Sequence, residues 1–230
     1  MTGAPASPTY QVFSNYGITF KNMDLLTLAL THASKSKSQN NERLEFLGDR
    51  VLSLTLADIL YTRYPSESEG DLALRHAALV RADTLAQIAR TLNIETHLTL
   101  SPGDKAAGTG RLENVLADAL ESLLGALYLD QGYDVCAPLI QTLWGDALDS
   151  MPMPPRDPKT QLQEWAQSRN LGLPKYTEKS RSGPDHALIF VVEVHLPGHS
   201  PQIGKGASLR LAEKAAASAF LKEIEEETSK

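Results

Sequence analysis

The chain has 230 residues, of which 42% are hydrophobic and 22% charged, with a formal net charge of −6 at pH 7. That composition supports one large domain or two small ones with buried cores, and it excludes a generically disordered chain. No stretch approaches the ~18 uninterrupted apolar residues of a membrane span, which excludes an integral membrane protein.

Residues 1–10 have neither a basic start nor an apolar stretch, so no secretory signal is expected. Leu25, Leu26, Leu28, Ala29 and Leu30 predict a short apolar helix before Thr31-His32-Ala33-Ser34. The polar run 35–41 reads as a loop that ends on Asn41 as helix cap. From Glu42, the residues Leu44, Leu47, Val51 and Leu54 recur at helical spacing, and the helix is predicted to continue past Ile59 to near Tyr64-Pro65. Residues 66–70 read as a loop and 71–92 as helix again. Residues 101–110 hold three glycines and a proline and read as a loop. Residues 111–129 predict a strongly apolar helix with Leu116, Leu120, Leu123 and Leu127 on one stripe, and 138–148 a last helix. The single cysteine, Cys136, excludes an intramolecular disulfide and a multi-cysteine zinc site, which points to a reducing cytoplasm; core packing is its expected role.

Four prolines at 152, 154, 155 and 158 then read as a semi-rigid linker. Charge changes across it: residues 1–151 carry 11 basic and 18 acidic side chains, residues 152–222 carry 10 and 6. An acidic front and a mildly basic back indicate two modules with different tasks. Behind the linker, residues 159–169 are amphipathic, with Leu162, Trp165 and Ala166 on one face. Residues 176–180, 187–196 and 201–206 read as strands, with a turn at Gly183-Pro184-Asp185, and 208–226 as a helix. The expected architecture is an all-α domain over residues 9–150, a linker over 151–158 and a small α+β domain of order α-β-β-β-α over 159–226.

The densest chemistry lies in Asn41-Glu42-Arg43-Leu44-Glu45-Phe46-Leu47-Gly48-Asp49. On a helix Glu45 and Asp49 are i and i+4, so the carboxylates share a face, and Glu42 extends the stripe by one turn. Like charges at that spacing destabilise a bare helix, so something positive is expected on the stripe. A second pair, Asp118 and Glu121 at i and i+3, sits among leucines and alanines, where an unpaired charge is costly. If the two helices pack, the four acids converge, and they cannot all remain ionised without a cation. Carboxylates with water suit Mg²⁺ or Mn²⁺ rather than zinc. A di-iron bundle needs Glu-x-x-His, and three residues after Glu45 and Glu121 stand Gly48 and Leu124, so that metal chemistry is set aside. Two solvated acidic faces are the plainer reading of such stripes, weaker for Asp118 and Glu121 on their apolar helix. His32, His76 and His97 carry no paired signature and read as structural.

The nine-residue run 41–49 followed by Val51-Leu52 resembles the signature of the bacterial ribonuclease III family. Glu69-Gly70-Asp71-Leu72 with Arg75 and Leu79-Val80 agrees with it, as does Leu116-Ala117-Asp118 to Glu121 with Leu124-Gly125-Ala126. The resemblance implies the ribonuclease III endonuclease fold, with Glu45, Asp49, Asp118 and Glu121 as metal-binding residues and Asp49 and Glu121 tied most directly to cleavage. It implies a secondary acidic pair in Glu42 and Glu69. It also implies a homodimer in which Phe46 inserts into the partner; from spacing alone, an ordinary core phenylalanine stays open.

The α-β-β-β-α module resembles a double-stranded RNA-binding domain through Lys159-Thr160-Gln161-Leu162-Gln163-Glu164-Trp165, Gly183-Pro184-Asp185-His186 and Gly204-Lys205-Gly206-Ala207-Ser208. Thr160, Gln163 and Gln167 lie at i, i+3, i+7, opposite Leu162 and Trp165, where uncharged donors suit the 2′-hydroxyls of a shallow minor groove. A plainly solvated face fits the same spacing. His186 at a loop tip is expected to reach the next minor groove, and Lys205, Ser208, Arg210 and Lys214 to lie near phosphates. The sequence departs from the family at Leu209-Arg210, where two lysines are usual, so fewer phosphate contacts and a shallower salt dependence are expected. Arg111-Leu112 likewise replaces what is often an arginine pair.

The resemblance therefore implies a Mg²⁺-dependent endoribonuclease for double-stranded RNA, with Mn²⁺ as substitute, acting as a cytoplasmic homodimer with no membrane partner. It further implies 5′-phosphate and 3′-hydroxyl ends, short 3′ overhangs, and processing of ribosomal RNA precursors and some messenger and transfer RNA precursors. The rival is a catalytically inert double-stranded RNA-binding dimer, against which retention of all four acids argues.

Overall fold

Two units divide the chain between Pro155 and Arg156 in the computed structural model, which describes residues 12–105, 109–184 and 187–228. The first is helical: α1 (Met23–Ala29), α2 (Glu42–Arg63), α3 (Glu69–Leu79), α4 (Ala82–Thr91), α5 (Pro102–Lys105), α6 (Thr109–Gln131), α7 (Tyr133–Leu143) and α8 (Gly145–Asp149). The long helices α2 and α6 pack on each other, and Leu52, Leu56 and Leu60 of the first and Leu116, Leu120, Leu123 and Leu127 of the second are buried in one core. At roughly 1.5–3 kcal/mol for each fully buried leucine, this seam contributes substantially to the unit's core. Gly48 in α2 and Gly125 in α6 allow backbone to meet backbone at the crossing.

Short-range chemistry sets the helix ends. Asn22 caps α1, its Oδ1 accepting from the amides of Asp24 and Leu25 at 3.0 and 3.4 Å. Ser68 caps α3 by accepting from Asp71 N at 3.2 Å. Arg75, 1% exposed, is held by Glu67 at 2.6 and 2.8 Å, lies 3.8 Å from the Tyr64 ring centre and donates to the Met151 carbonyl. This buried cation thereby ties Met151 to the middle of α3 and to Glu67 just ahead of that helix.

The second unit is α9 (Pro158–Ser168), β1 (Lys175–Ser182), β2 (Ile189–His195), β3 (Gln202–Gly206) and α10 (Leu209–Thr228). The strands form one antiparallel sheet in the order β1-β2-β3, with an irregularity between Glu178 and Ser180. Leu162 and Ala166 of α9, Val194 of β2 and Ala216, Ala217 and Phe220 of α10 make its core. A side chain on Gly204 would place a Cβ 2.0 Å from Ala216 N, so glycine is what lets α10 lie against β3.

The all-α front and the α-β-β-β-α back are those expected from the periodicities; several boundaries differ. Asn41 stands at the cap position of α2, as expected, but its side chain makes no cap bond: its backbone is already helical (φ −82°, ψ −11°), and Asn40 Oδ1 accepts from Glu42 N instead. The expected helix over 71–92 begins earlier, at Glu69, and breaks at Val80 and Arg81, where Arg81 is extended (ψ 148°) with no glycine or proline to announce it. The loop expected over 101–110 contains α5, started by Pro102 in the position proline favours, and α6 begins at Thr109. Pro138, read as a helix start, lies inside α7, which opens after Gly132 in the left-handed region (φ 87°). Pro158, read as the end of the linker, is the first residue of α9, with Asp157 as its cap. No helix among the described residues is long and apolar enough to cross a membrane.

Candidate functional site

Glu45 and Asp49 project from α2, Asp118 and Glu121 from α6, and the close crossing at Gly48 and Gly125 brings the two pairs face to face. Carboxylate oxygens of Glu45, Asp118 and Glu121 lie within 4.8 Å of one another, and all three residues are half-buried. Asp49 is adjacent but outside that triangle. Its Oδ2 is 3.1 Å from Arg50 Nη2, and its Oδ1 accepts from Ser53 Oγ at 3.5 Å.

Backbone contacts fix the arrangement. Ser122, wholly buried beside Glu121, donates to the Asp118 carbonyl at 2.7 Å and lies 3.3 Å from the Asn41 carbonyl, which ties the first turn of α2 to α6. Asn41 N donates to Thr31 O at 2.9 Å, and Thr31 pairs with Thr99, so the segment bearing His32 is held at the same place. His32 Nδ1 is hydrogen-bonded with Ser34 Oγ at 2.8 Å.

Burial and mutual repulsion raise the affinity of this group for protons. Burial, reinforced by Asp49, Glu45 and Asp118 and opposed by Arg50, pushes Glu121 from the ordinary 4.5 up to about 8. Burial, then Asp118, Glu42 and Asp49, holds Glu45 above the usual range. Burial raises Asp118, with His32 opposing. Three carboxylates in a half-buried pocket with oxygen-only donors fit a hard divalent cation, which would replace the protons that otherwise relieve the repulsion. Sequence reasoning singled out all four acids, three of which meet in the triangle. It did not identify Arg50, Ser122 or His32 as neighbours of the group; Arg50 alone carried a local signal, the positive charge expected on the acidic stripe.

The remaining predicted residues are divided between the two units. Glu42 is exposed and accepts from Asn40 Nδ2 at 3.0 Å, while Glu69 is exposed in the first turn of α3 and takes no part in the carboxylate triangle. Phe46 is 67% exposed, so it is no core residue; it lines a cavity of about 1280 Å³ with Leu28, Thr31, Arg43, Leu47 and Leu129. In the second unit Thr160, Gln163 and Gln167 all lie on the exposed face of α9, opposite buried Leu162 and Ala166. Lys205 and Arg210 are exposed. Lys214 forms an ion pair with Asp157 at 2.6 Å, and Ser208 Oγ accepts from Leu211 N at 3.3 Å at the start of α10. His186 lies outside the described residues.

A family model described as Ribonuclease-III-like matches residues 22–146, and one described as Double-stranded RNA binding motif matches residues 158–224. The chain is 43% identical over 210 residues to a Ribonuclease 3 of Azorhizobium caulinodans, covering 89% of each sequence. It is 41% identical over 220 residues to a Ribonuclease 3 of Vibrio cholerae, covering 94% of this chain and 97% of that one. Among solved structures it is similar to the nuclease domain of ribonuclease III from Campylobacter jejuni, at 37% identity and a TM-score of 0.56, over 59% of this chain and 95% of that one.

Proposed function

Because this chain belongs to the ribonuclease III family, we propose that it is an endoribonuclease that cuts double-stranded RNA with a divalent metal, Mg²⁺ by preference and Mn²⁺ as a substitute. The observation that carries this reading is the meeting of Glu45, Asp118 and Glu121 from two helices within 4.8 Å, with Asp49 beside them. These four residues would hold the metal. Bound there, a divalent cation supplies activation of water and neutralises charge on the phosphate.

The side chains do the rest by position and charge. Glu121, protonated below about 8 in the metal-free protein, must give up its proton before it can act as a ligand. Burial on α2 and α6 keeps the carboxylates in a medium where their charges act strongly on one another. No side-chain nucleophile is required. Attack by water at phosphorus, with the 3′ oxygen leaving, gives 5′-phosphate and 3′-hydroxyl ends. Two copies related by a two-fold axis would each cut one strand and leave a short 3′ overhang, with exposed Phe46 of one protomer seated in the other.

The second unit supplies the duplex-binding surface. Thr160, Gln163 and Gln167 offer uncharged donors and acceptors to 2′-hydroxyls, which read shape rather than sequence. Glu42 and Glu69 form the secondary acidic pair. The cellular role of the proposal is processing of ribosomal RNA precursors and of some messenger and transfer RNA precursors in the cytoplasm. A time course on a long RNA duplex, with Mg²⁺ and then with EDTA, tests the reading. Mg²⁺-dependent products with those ends support it, and binding without cleavage at any divalent cation replaces it with the inert RNA-binding dimer.

A further inference from the structure

One acid of the catalytic set stands beside the triangle formed by the other three and not within it. Glu45, Asp118 and Glu121 form the 4.8 Å triangle, whereas both oxygens of Asp49 are already engaged, Oδ2 by Arg50 and Oδ1 by Ser53. The Arg50 side chain is 67% exposed, and its guanidinium carbon also stands 5.6 Å from the centre of the Phe46 ring. The guanidinium is thus steadied from its own helix by residue i−1 and residue i−4. It is the positive charge that the acidic stripe of α2 calls for.

We propose that Arg50 is a positioning residue, a latch that holds Asp49 outside the carboxylate triangle, so that a divalent cation must displace the guanidinium before Asp49 can join the other three acids. This rests on the metal-site reading above. A contact of one nitrogen with one oxygen at 3.1 Å, in solvent, is weak enough to be broken by a divalent ion and strong enough to set a threshold for loading. Removing Arg50 frees Asp49 and takes a positive charge away from the cation's approach. Both changes act in the same direction.

Mn²⁺ binding to the full chain, measured by calorimetry without RNA, is the test. Arg50→Gln is expected to bind about two- to fivefold more tightly than wild type, the range that a surface ion pair supports. Arg50→Lys keeps a point charge that can reach one oxygen, so it should stay within about twofold of wild type. In an Asp49→Asn background the gain from Arg50→Gln should largely vanish, because there is no longer a carboxylate to release. Equal affinity of wild type and Arg50→Gln overturns the latch while leaving the metal site standing. An equal gain with and without the Asp49→Asn substitution also overturns it, because a charge acting at a distance would then suffice. No Mn²⁺ uptake by wild type overturns the metal-site reading and the latch with it.

Discussion

Gly48 faces the backbone of Glu121 so closely that a Cβ built on it would lie 1.7 Å from the Glu121 carbonyl oxygen and 2.6 Å from the carbonyl carbon. The reciprocal contact, a Cβ on Gly125 against the Leu44 carbonyl at 2.2 Å, shows the same crossing from the other helix. Neither neighbour is a flexible side chain, so the helices themselves must part to admit a methyl group. Gly48→Ala is therefore expected to destabilise the protein by at least about 3 kcal/mol, at or beyond the usual limit for overpacking. It should also weaken Mn²⁺ uptake, because it separates the two acid pairs. Urea unfolding and calorimetry check both; a loss below about 1 kcal/mol contradicts the close crossing.

Glu121 makes stability depend on pH in a stated direction. Its folded value of about 8 exceeds the ordinary 4.5, so between these limits the metal-free fold binds a proton that the unfolded chain does not. Unfolding then releases a proton, and stability falls as pH rises through that window. Urea midpoints in EDTA should decline between about pH 5 and pH 8, and more in wild type than in Glu121→Gln. Metal binding should release close to one proton more at pH 7 in wild type than in the variant, which should also lose cleavage while retaining RNA binding. Identical pH profiles for the two proteins would show that the proton is not on Glu121.

Phe46 has little to lose inside its own protomer, since 67% of it is exposed. Phe46→Ala should leave the circular dichroism spectrum unchanged, as surface substitutions do. If the ring anchors the dimer as proposed, its loss should weaken association by about 2 kcal/mol or more, roughly a 30-fold change in dissociation constant. Sedimentation velocity across a dilution series reads this directly, and an unchanged dimer removes Phe46 from the interface.

Arg210 and Lys214, both expected near phosphates, should behave differently. Arg210 is exposed on the first turn of α10, and Arg210→Ala should lower the salt slope of duplex binding by about 1. Lys214 is already paired with Asp157, the cap of α9, at 2.6 Å, so Lys214→Ala should cost under about 1 kcal/mol of stability and leave the salt slope nearly as it was. Equal slope changes in duplex titrations over a salt series contradict this division.

Both acid pairs were legible because helical spacing alone puts Glu45 with Asp49 and Asp118 with Glu121 on shared faces. The α9 face of Thr160, Gln163 and Gln167 was legible for the same reason, being opposite the apolar stripe. What spacing does not carry is the depth of the crossing, which depends on Gly48 and Gly125 being at the same height on two helices 77 residues apart. Side-chain direction was equally hidden: Asp49 shares a helix face with Glu45, yet it pairs with its sequence neighbour Arg50. The break between α3 and α4 falls at Val80-Arg81, where residue types give no signal and tertiary packing decides. The Asn40–Asn41 pair shows how fine the margin is, since either side chain suits a cap and the backbone turns one residue early.

The most direct measurement is the location of Mn²⁺ by anomalous diffraction in a crystal of the full chain. An ion between Glu45, Asp118 and Glu121, with Asp49 drawn from Arg50 toward it, is the expected result. An ion bound only elsewhere, or none at saturating Mn²⁺ with the three carboxylates splayed apart, would contradict a nuclease centre built where α2 crosses α6.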